Sequence, residues 1–258
     1  MPLCVGRRRI ARLYRGATRI ARAYRGTTPI FQEEFGGDVF TKLLLHFDGA
    51  DASTVFTDSS TGGAGSPHAL TANGNAQIDT AQSKFGGASG LFDGSGDWIS
   101  TPDHADFTLG SGDFTIDLWF RRNATGTQML AGQISSTAAA ASSAWYIQCQ
   151  NAGNLLNAGI SNGTSFTILQ STTALPVDGL WHHVAFVRSG NTLRLFLDGV
   201  QEDTDTFIGA VNDGAVTLSI GRGGELNSQY WNGWIDEFRL SAGVARWSAN
   251  FTPPASAY

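Results

Sequence analysis

Gly179-Leu180-Trp181-His182-His183-Val184-Ala185-Phe186-Val187-Arg188-Ser189-Gly190-Asn191-Thr192-Leu193-Arg194-Leu195-Phe196-Leu197-Asp198-Gly199 holds two extended segments and two turns. Trp181 to Arg188 has the length and β-branched, aromatic content of a strand, and Ser189-Gly190-Asn191 reverses the chain. Leu193, Leu195 and Leu197 then share one face opposite Arg194, Phe196 and Asp198, because side chains alternate along a strand. Asp198-Gly199 is a strong hairpin turn, since both residue types tolerate positive φ.

The same pattern extends in both directions. Phe114, Ile116, Leu118 and Phe120 alternate with Thr115, Asp117 and Trp119 after the turn Gly110-Ser111-Gly112. Leu43-Leu44-Leu45-His46-Phe47-Asp48 is an apolar run of strand length, and Val216–Ile220 and Trp234–Leu240 add two more strands. No segment of ten residues in the body keeps a helical period. Ser135–Ala144 reads as a loop or one helical turn. Strands without crossover helices must pair antiparallel. A single sheet of this length would leave a large apolar face wet, so two sheets packed about 10 Å apart are expected.

Composition agrees. Of 258 residues, 32 are glycine and only 15% are charged, which suits many short strands joined by tight turns. No apolar run approaches the ~20 residues of a membrane helix, and the start lacks the apolar core of a secretory signal. Cys4 and Cys149 fit no zinc or redox spacing and read as free thiols.

Charge divides the chain. Residues 1–30 carry eight arginines and no acid, while the rest holds 9 Lys and Arg against 22 Asp and Glu. The basic segment also repeats with period ten: Arg9-Ile10-Ala11-Arg12-Leu13-Tyr14-Arg15-Gly16 returns as Arg19-Ile20-Ala21-Arg22-Ala23-Tyr24-Arg25-Gly26. Short strands with Gly-x-Thr turns are favoured over an amphipathic helix, because Gly16 would sit mid-helix and Pro29 would end it. Residues 1–41 are therefore read as a basic arm and linker, and 42–258 as one domain. Arg9, Arg12, Tyr14, Arg15, Arg19, Arg22, Tyr24 and Arg25 are the candidate anchor of the arm in an acidic protein surface. The acidic body disfavours nucleic acid as its partner.

Five stretches in order resemble the laminin G-like, concanavalin A-like family. They are the opening run 43–48, Phe92-Asp93-Gly94-Ser95-Gly96-Asp97-Trp98-Ile99, Asp113–Phe120, the hairpin at 179–199, and Tyr230-Trp231-Asn232-Gly233-Trp234-Ile235-Asp236-Glu237-Phe238-Arg239-Leu240. The resemblance implies an all-β, two-sheet antiparallel jelly-roll sandwich behind an extended N-terminal arm. The arm is similar to Tyr-x-Gly-x-Thr segments near the termini of tailed-phage virion proteins. Together these imply a head spike, head decoration or tail-fibre subunit exposed on a virion. Such a protein would bind other virion proteins through its arm, self-associate as a homo-oligomer, and take host-surface glycan on its jelly roll. The alternatives are a non-viral, extracellular carbohydrate-binding module or lectin and, behind it, a polysaccharide-cleaving enzyme.

Catalysis is not expected. Glycosidases of this fold class use a Glu-x-Asp-x-x-Glu strand, which is absent here. Adjacent Asp236 and Glu237 should point to opposite faces. His182 and His183, side by side on a strand, cannot both face one site, and no nucleophile elbow or phosphate loop is present. No cofactor is required, but Ca²⁺ is carried over from laminin G-like rims, with Asp48, Asp93, Asp97 and Asp236 as the positions for it. For glycan, the loop Gly221–Tyr230 supplies Arg222, Glu225, Asn227, Gln229 and Tyr230, followed by Trp234.

Overall fold

The computed structural model describes residues 38–224 and 229–258, together with the backbone of four short strands between residues 13 and 32. In the arm, β1 (Leu13–Arg15) pairs antiparallel with β2 (Thr18–Ile20), and β3 (Arg22–Arg25) with β4 (Thr28–Gln32). The ten-residue repeat is thus a repeated hairpin, with Tyr14 and Tyr24 each in a first strand. The anchor candidates Tyr14, Arg15, Arg19, Arg22, Tyr24 and Arg25 lie on these strands with side chains outside the described residues. Arg9 and Arg12 lie outside them altogether.

The body is two antiparallel sheets. Its strands in chain order are β5 (Thr41–Leu45), β6 (Thr71–Asn73), β7 (Gln77–Asp79), β8 (Ser89–Asp93), β9 (Trp98–Thr101), β10 (Phe114–Arg122), β11 (Gln128–Gln133) and β12 (Trp145–Cys149). They continue as β13 (Leu155–Ser161), β14 (Phe166–Ala174), β15 (His182–Ser189), β16 (Thr192–Leu197), β17 (Val200–Thr206), β18 (Leu218–Ile220) and β19 (Asn232–Ala242). One sheet runs β17-β16-β15-β10-β19-β8-β7, with β5 also on β19; the other runs β14-β13-β12-β11-β18-β9-β6. Neighbours in space are mostly distant in sequence, as a jelly roll requires. Helix is confined, among the described residues, to short 3-10 turns, one of them (Ala140–Ser142) inside the Ala/Ser-rich stretch.

The alternation places the core. Phe114, Ile116, Leu118 and Phe120 of β10 face Leu130, Trp145, Ile147, Leu156 and Ile160 of the second sheet, all fully buried in one cluster. Each such side chain contributes about 1.5–3 kcal/mol by leaving water. Arg188, also buried, donates to the carbonyls of Gly190, Gly110, Phe207 and Gly209, tying three turns to one guanidinium. Asp198 (φ 49) and Gly199 (φ 78) both take positive φ, the two-residue turn expected from their identities.

Three features depart from the sequence reading. First, Thr115, Asp117 and Trp119 are buried as well, so β10 is covered on both faces. Residues 243–258 return across the outer face of the eight-stranded sheet, and Lys84 and Phe85 pack on Trp119. Second, a bulge breaks the alternation at Asp236-Glu237. Trp119 pairs with Asp236 but Asp117 with Arg239, leaving one extra residue on β19, and Glu237 has φ 51. Both carboxylates are buried, and both act on His46. Third, Asp38, expected within the linker, takes part in the sandwich's own bonding: it pairs with Arg246 at 3.1 Å and accepts from Thr41.

Candidate functional site

The C-terminal return builds a groove on the eight-stranded sheet. Trp247 and Phe251 stack with ring centroids 4.0 Å apart, and Phe251 meets Phe196 of β16 edge-on at 5.3 Å. Phe251 N–H donates to Gly199 O, and Gln201 N–H donates to Asn250 Oδ1, both at 2.9 Å, so the tail is stitched to the β16–β17 hairpin. Between tail and hairpin lies an open groove of about 690 Å³ lined by Arg194, Gln201, Thr204, Ser248, Ala249 and Asn250. Arg194 Nη1 is buried there without a partner. Five of the six lining residues carry hydroxyl, amide or guanidinium groups, and half-buried aromatic rings at 247 and 251 adjoin the lining residues in the chain. Planar donors and acceptors of this kind suit the paired hydroxyls of a sugar.

A buried ionic network holds the tail in place. Arg239 donates to both oxygens of Asp117 at 3.0 Å, and His183 Nε2 lies 3.5 Å from Asp117 and 3.0 Å from the Tyr258 hydroxyl. The Arg239 guanidinium also stands 3.7 Å over the Tyr258 ring. Burial pushes Asp117 up, but Arg239 and His183 more than offset it and hold the carboxyl well below the usual range. Burial carries the Tyr258 phenol well above its ordinary value. Glu237 accepts from Tyr258 N–H and bonds His46, each at 3.0 Å; that bond raises His46 against its partial burial. His182, on the other face of β15, sits between Asp198 and Asp178, and the Asp198 bond raises it. The two neighbouring histidines thus face different surroundings, as strand geometry requires.

The glycan candidates read from sequence are held by different partners. Arg222 is buried, its guanidinium 3.5 Å from the Trp98 ring centroid, so it packs instead of facing a ligand. Gln229 and Tyr230 are half-buried, and Gln229 O accepts from Met129 N–H. Trp234 lies on the eight-stranded sheet, where its Nε1 donates to Asp79 at 2.6 Å and Arg121 stands 5.0 Å over its ring. Glu225 and Asn227 lie outside the described residues.

The four calcium candidates separate into two places. Asp97 accepts from Asp93 N–H and Asn75 N–H in the β8–β9 turn. Asp236 accepts from Lys84, Phe85 and Glu237 N–H groups, and Asp48 lies beside Gly86 in that same segment. Burial, with Glu237 nearby, pushes the Asp236 carboxyl up to about 7 despite its three donors. Buried Asp97 and Asp236 use their oxygens on backbone amides, which is structural work and not the open oxygen cage that Ca²⁺ needs.

The groove was missed because its walls are joined only by folding. Arg194 and Thr204 are visible as outward residues of the hairpin, but Ser248–Asn250 follow the last recognisable strand. The one available signal was the spacing of Trp247 and Phe251, two aromatics beyond Trp234–Leu240, the last strand read from the sequence.

Residues 93–247 match the family described as the concanavalin A-like lectin/glucanases superfamily, Laminin_G_3. Among solved structures, the binding domain of Paraclostridial Mosquitocidal Protein 1 matches with TM-score 0.59 at 14% identity, over 80% of this chain and 49% of that one. Domain 4 of AbnA, a GH43 extracellular arabinanase from Geobacillus stearothermophilus solved with arabinotriose, matches with TM-score 0.58 at 20% identity, over 80% and 94%. The botulinum neurotoxin serotype D binding domain matches with TM-score 0.57 at 13% identity, over 80% and 49%. The chain spans about half the length of the two toxin domains. No curated protein matches it. With the match covering more than half of its residues and running through both sheets, the chain belongs to the concanavalin A-like lectin/glucanases superfamily.

Proposed function

We propose that the chain is a non-catalytic carbohydrate-binding protein of a virion surface, of head-spike, decoration or tail-fibre type. The observation that carries the binding reading is the groove of Arg194, Gln201, Thr204, Ser248 and Asn250, a set of hydroxyl-matching groups. The arabinotriose complex of the AbnA domain supports it as a precedent on a related architecture. The virion reading rests on the arm: a repeated Arg-rich hairpin ahead of an acidic body suits docking on an acidic neighbour, with arm-mediated self-association into a symmetric homo-oligomer.

A panel of arabino-oligosaccharides and bacterial surface polysaccharides, titrated calorimetrically, tests the first part. Binding by the wild type with loss in Arg194→Ala and Asn250→Ala is expected; silence across the panel, or binding untouched by both changes, rejects the groove. No oligosaccharide should be released on incubation. Deleting residues 1–30 should leave binding intact and abolish entry into particles, and normal incorporation would reject the anchor.

A cellular module is the second reading, favoured by the match to 94% of the AbnA domain. Selective binding of plant-wall arabinan, without affinity for bacterial surface polysaccharide, would decide for it.

A further inference from the structure

We propose that His68, His104 and Asp106 form a site for a divalent transition metal, Zn²⁺ by the chemistry of its donors. Their donor atoms all lie within 4.8 Å of one another, and among the described residues this is the one such group of three. It stands apart from the groove. His68 closes the segment after β5, and His104 and Asp106 flank the start of the 3-10 turn Ala105–Phe107.

Asp106 Oδ2 is 3.2 Å from His68 Nε2 and 3.2 Å from His104 Nδ1. Two atoms each about 2.1 Å from a tetrahedral zinc are separated by about 3.4 Å, so both edges lie within about 0.2 Å of the spacing of a ligated metal. His68 has a side chain only 6% exposed, and its Nε2 is buried and makes no directional hydrogen bond. His104 Nδ1 accepts from Asp106 N–H, so it presents a lone pair, not a proton, to the carboxylate oxygen beside it. A cation between these atoms would replace that repulsion with three attractive bonds, at the cost of one weak cap.

The surroundings hold the donors for that task. Ala64 and Gly65 N–H groups donate to Asp106 at 2.9 and 2.7 Å, and His68 N–H is fixed to Asp58 at 2.7 Å. These are the outer bonds that orient metal ligands. Gly63 and Gly65 leave the space open: a Cβ at 63 would strike the Asp106 carboxylate, and one at 65 would come within 2.7 Å of the His104 ring. Two imidazoles with one carboxylate select zinc and its neighbours over Ca²⁺, which needs an oxygen cage. His104 is 39% exposed, so the fourth position opens to water. The metal would pin the 61–68 segment to the turn beneath it, beside Phe107 at the end of the core.

The full chain, stripped with EDTA, is titrated with ZnCl₂ and with CaCl₂ by calorimetry, and with CoCl₂ followed by its visible absorption. One Zn²⁺ per chain, a melting temperature raised by several degrees in Zn²⁺ but not Ca²⁺, and a tetrahedral Co²⁺ spectrum are expected. His104→Ala, at a partly exposed position, should lose only its weak cap in EDTA, a small drop in melting temperature, yet bind at least tenfold more weakly, and His68→Gln should weaken binding as much. No stoichiometric binding, an equal response to Ca²⁺, or zinc affinity unchanged in His104→Ala would each overturn the proposal. If His68→Gln fails to fold, the His104→Ala comparison decides.

Discussion

The outer faces of the two sheets solve the same problem with different chemistry. On the eight-stranded sheet, Asp117, Arg239, His183 and Tyr258 are bonded together beneath the C-terminal tail. On the seven-stranded sheet the row Gln148, Asn157 and Gln170 crosses β12, β13 and β14 in register, and Gln170 donates to Asn157 at 3.0 Å. In the next row Tyr146 lies over Gly159, where a Cβ would collide with the ring, and meets Phe166 edge-on at 5.5 Å. The first face uses full charges locked in mutual bonds; the second uses neutral carboxamides. Removing one partner of a buried ion costs about 3–5 kcal/mol, while a buried neutral amide left short costs about 1–3 kcal/mol. The tail is therefore bound to its sheet by a lock that fails as a unit.

The largest effect follows from that. Asp117→Ala takes the paired carboxylate from buried Arg239 and should cost about 3–5 kcal/mol. Asn157→Ala in the carboxamide row should cost about 1–2 kcal/mol. Urea unfolding of the two variants measures both, and equal losses would erase the distinction between the faces. Next comes the aromatic clasp: Phe251→Ala removes the ring stacked on Trp247 and packed on Phe196, for about 2 kcal/mol. Protease should then cut within residues 243–258 while sparing β15 and β16.

A smaller effect is a slope against pH. Asp236, carried to about 7 by burial, holds a proton in the fold that it releases when unfolded. Its contribution is complete below the ordinary carboxylate range near pH ~4 and is lost as pH rises to about 7. His46, raised by its bond to Glu237, extends the loss above the ordinary histidine value of ~6.5. Asp117 has the opposite sign, but its loss falls at acid pH, outside this window. The melting temperature should thus decline from pH 5 to pH 8. Asp236→Asn should flatten the part below 7 while lowering the whole curve, because its amide offers hydrogens to backbone donors.

The strands were legible because alternation is local: Phe114–Phe120 and Leu193–Leu197 declare their inner faces within seven and five residues. The turn at Asp198-Gly199 was legible for the same reason. What covered the other face was not, since Trp247, Phe251 and Tyr258 show no strand period and their partners lie elsewhere in the chain. Arg222 misled because a polar loop residue beside aromatics reads equally as a ligand or as a lid on Trp98. The bulge at Glu237 defeated the alternation rule by a single residue, and one inserted residue carries no composition signal. His68 and Asp106 are brought together only by the close packing that Gly63 and Gly65 permit.

The smallest stability effect should accompany a full functional one. Arg194 faces the groove from the outward side of β16, with Nη1 unpaired. Its replacement by alanine removes no fixed partner from that nitrogen, so unfolding should shift by no more than about 0.5 kcal/mol. A sugar hydroxyl bonded to the groove-lining guanidinium would lose a charge-assisted bond of about 1.5–3 kcal/mol, roughly a tenfold to hundredfold loss of affinity. Thr204 sharpens the contrast, because its hydroxyl already donates to Leu193 O at 2.8 Å and has less to give a ligand. Thr204→Val should therefore weaken binding less than Arg194→Ala. Titration of the two variants with the same oligosaccharide measures that order, and its reversal would place recognition outside the groove.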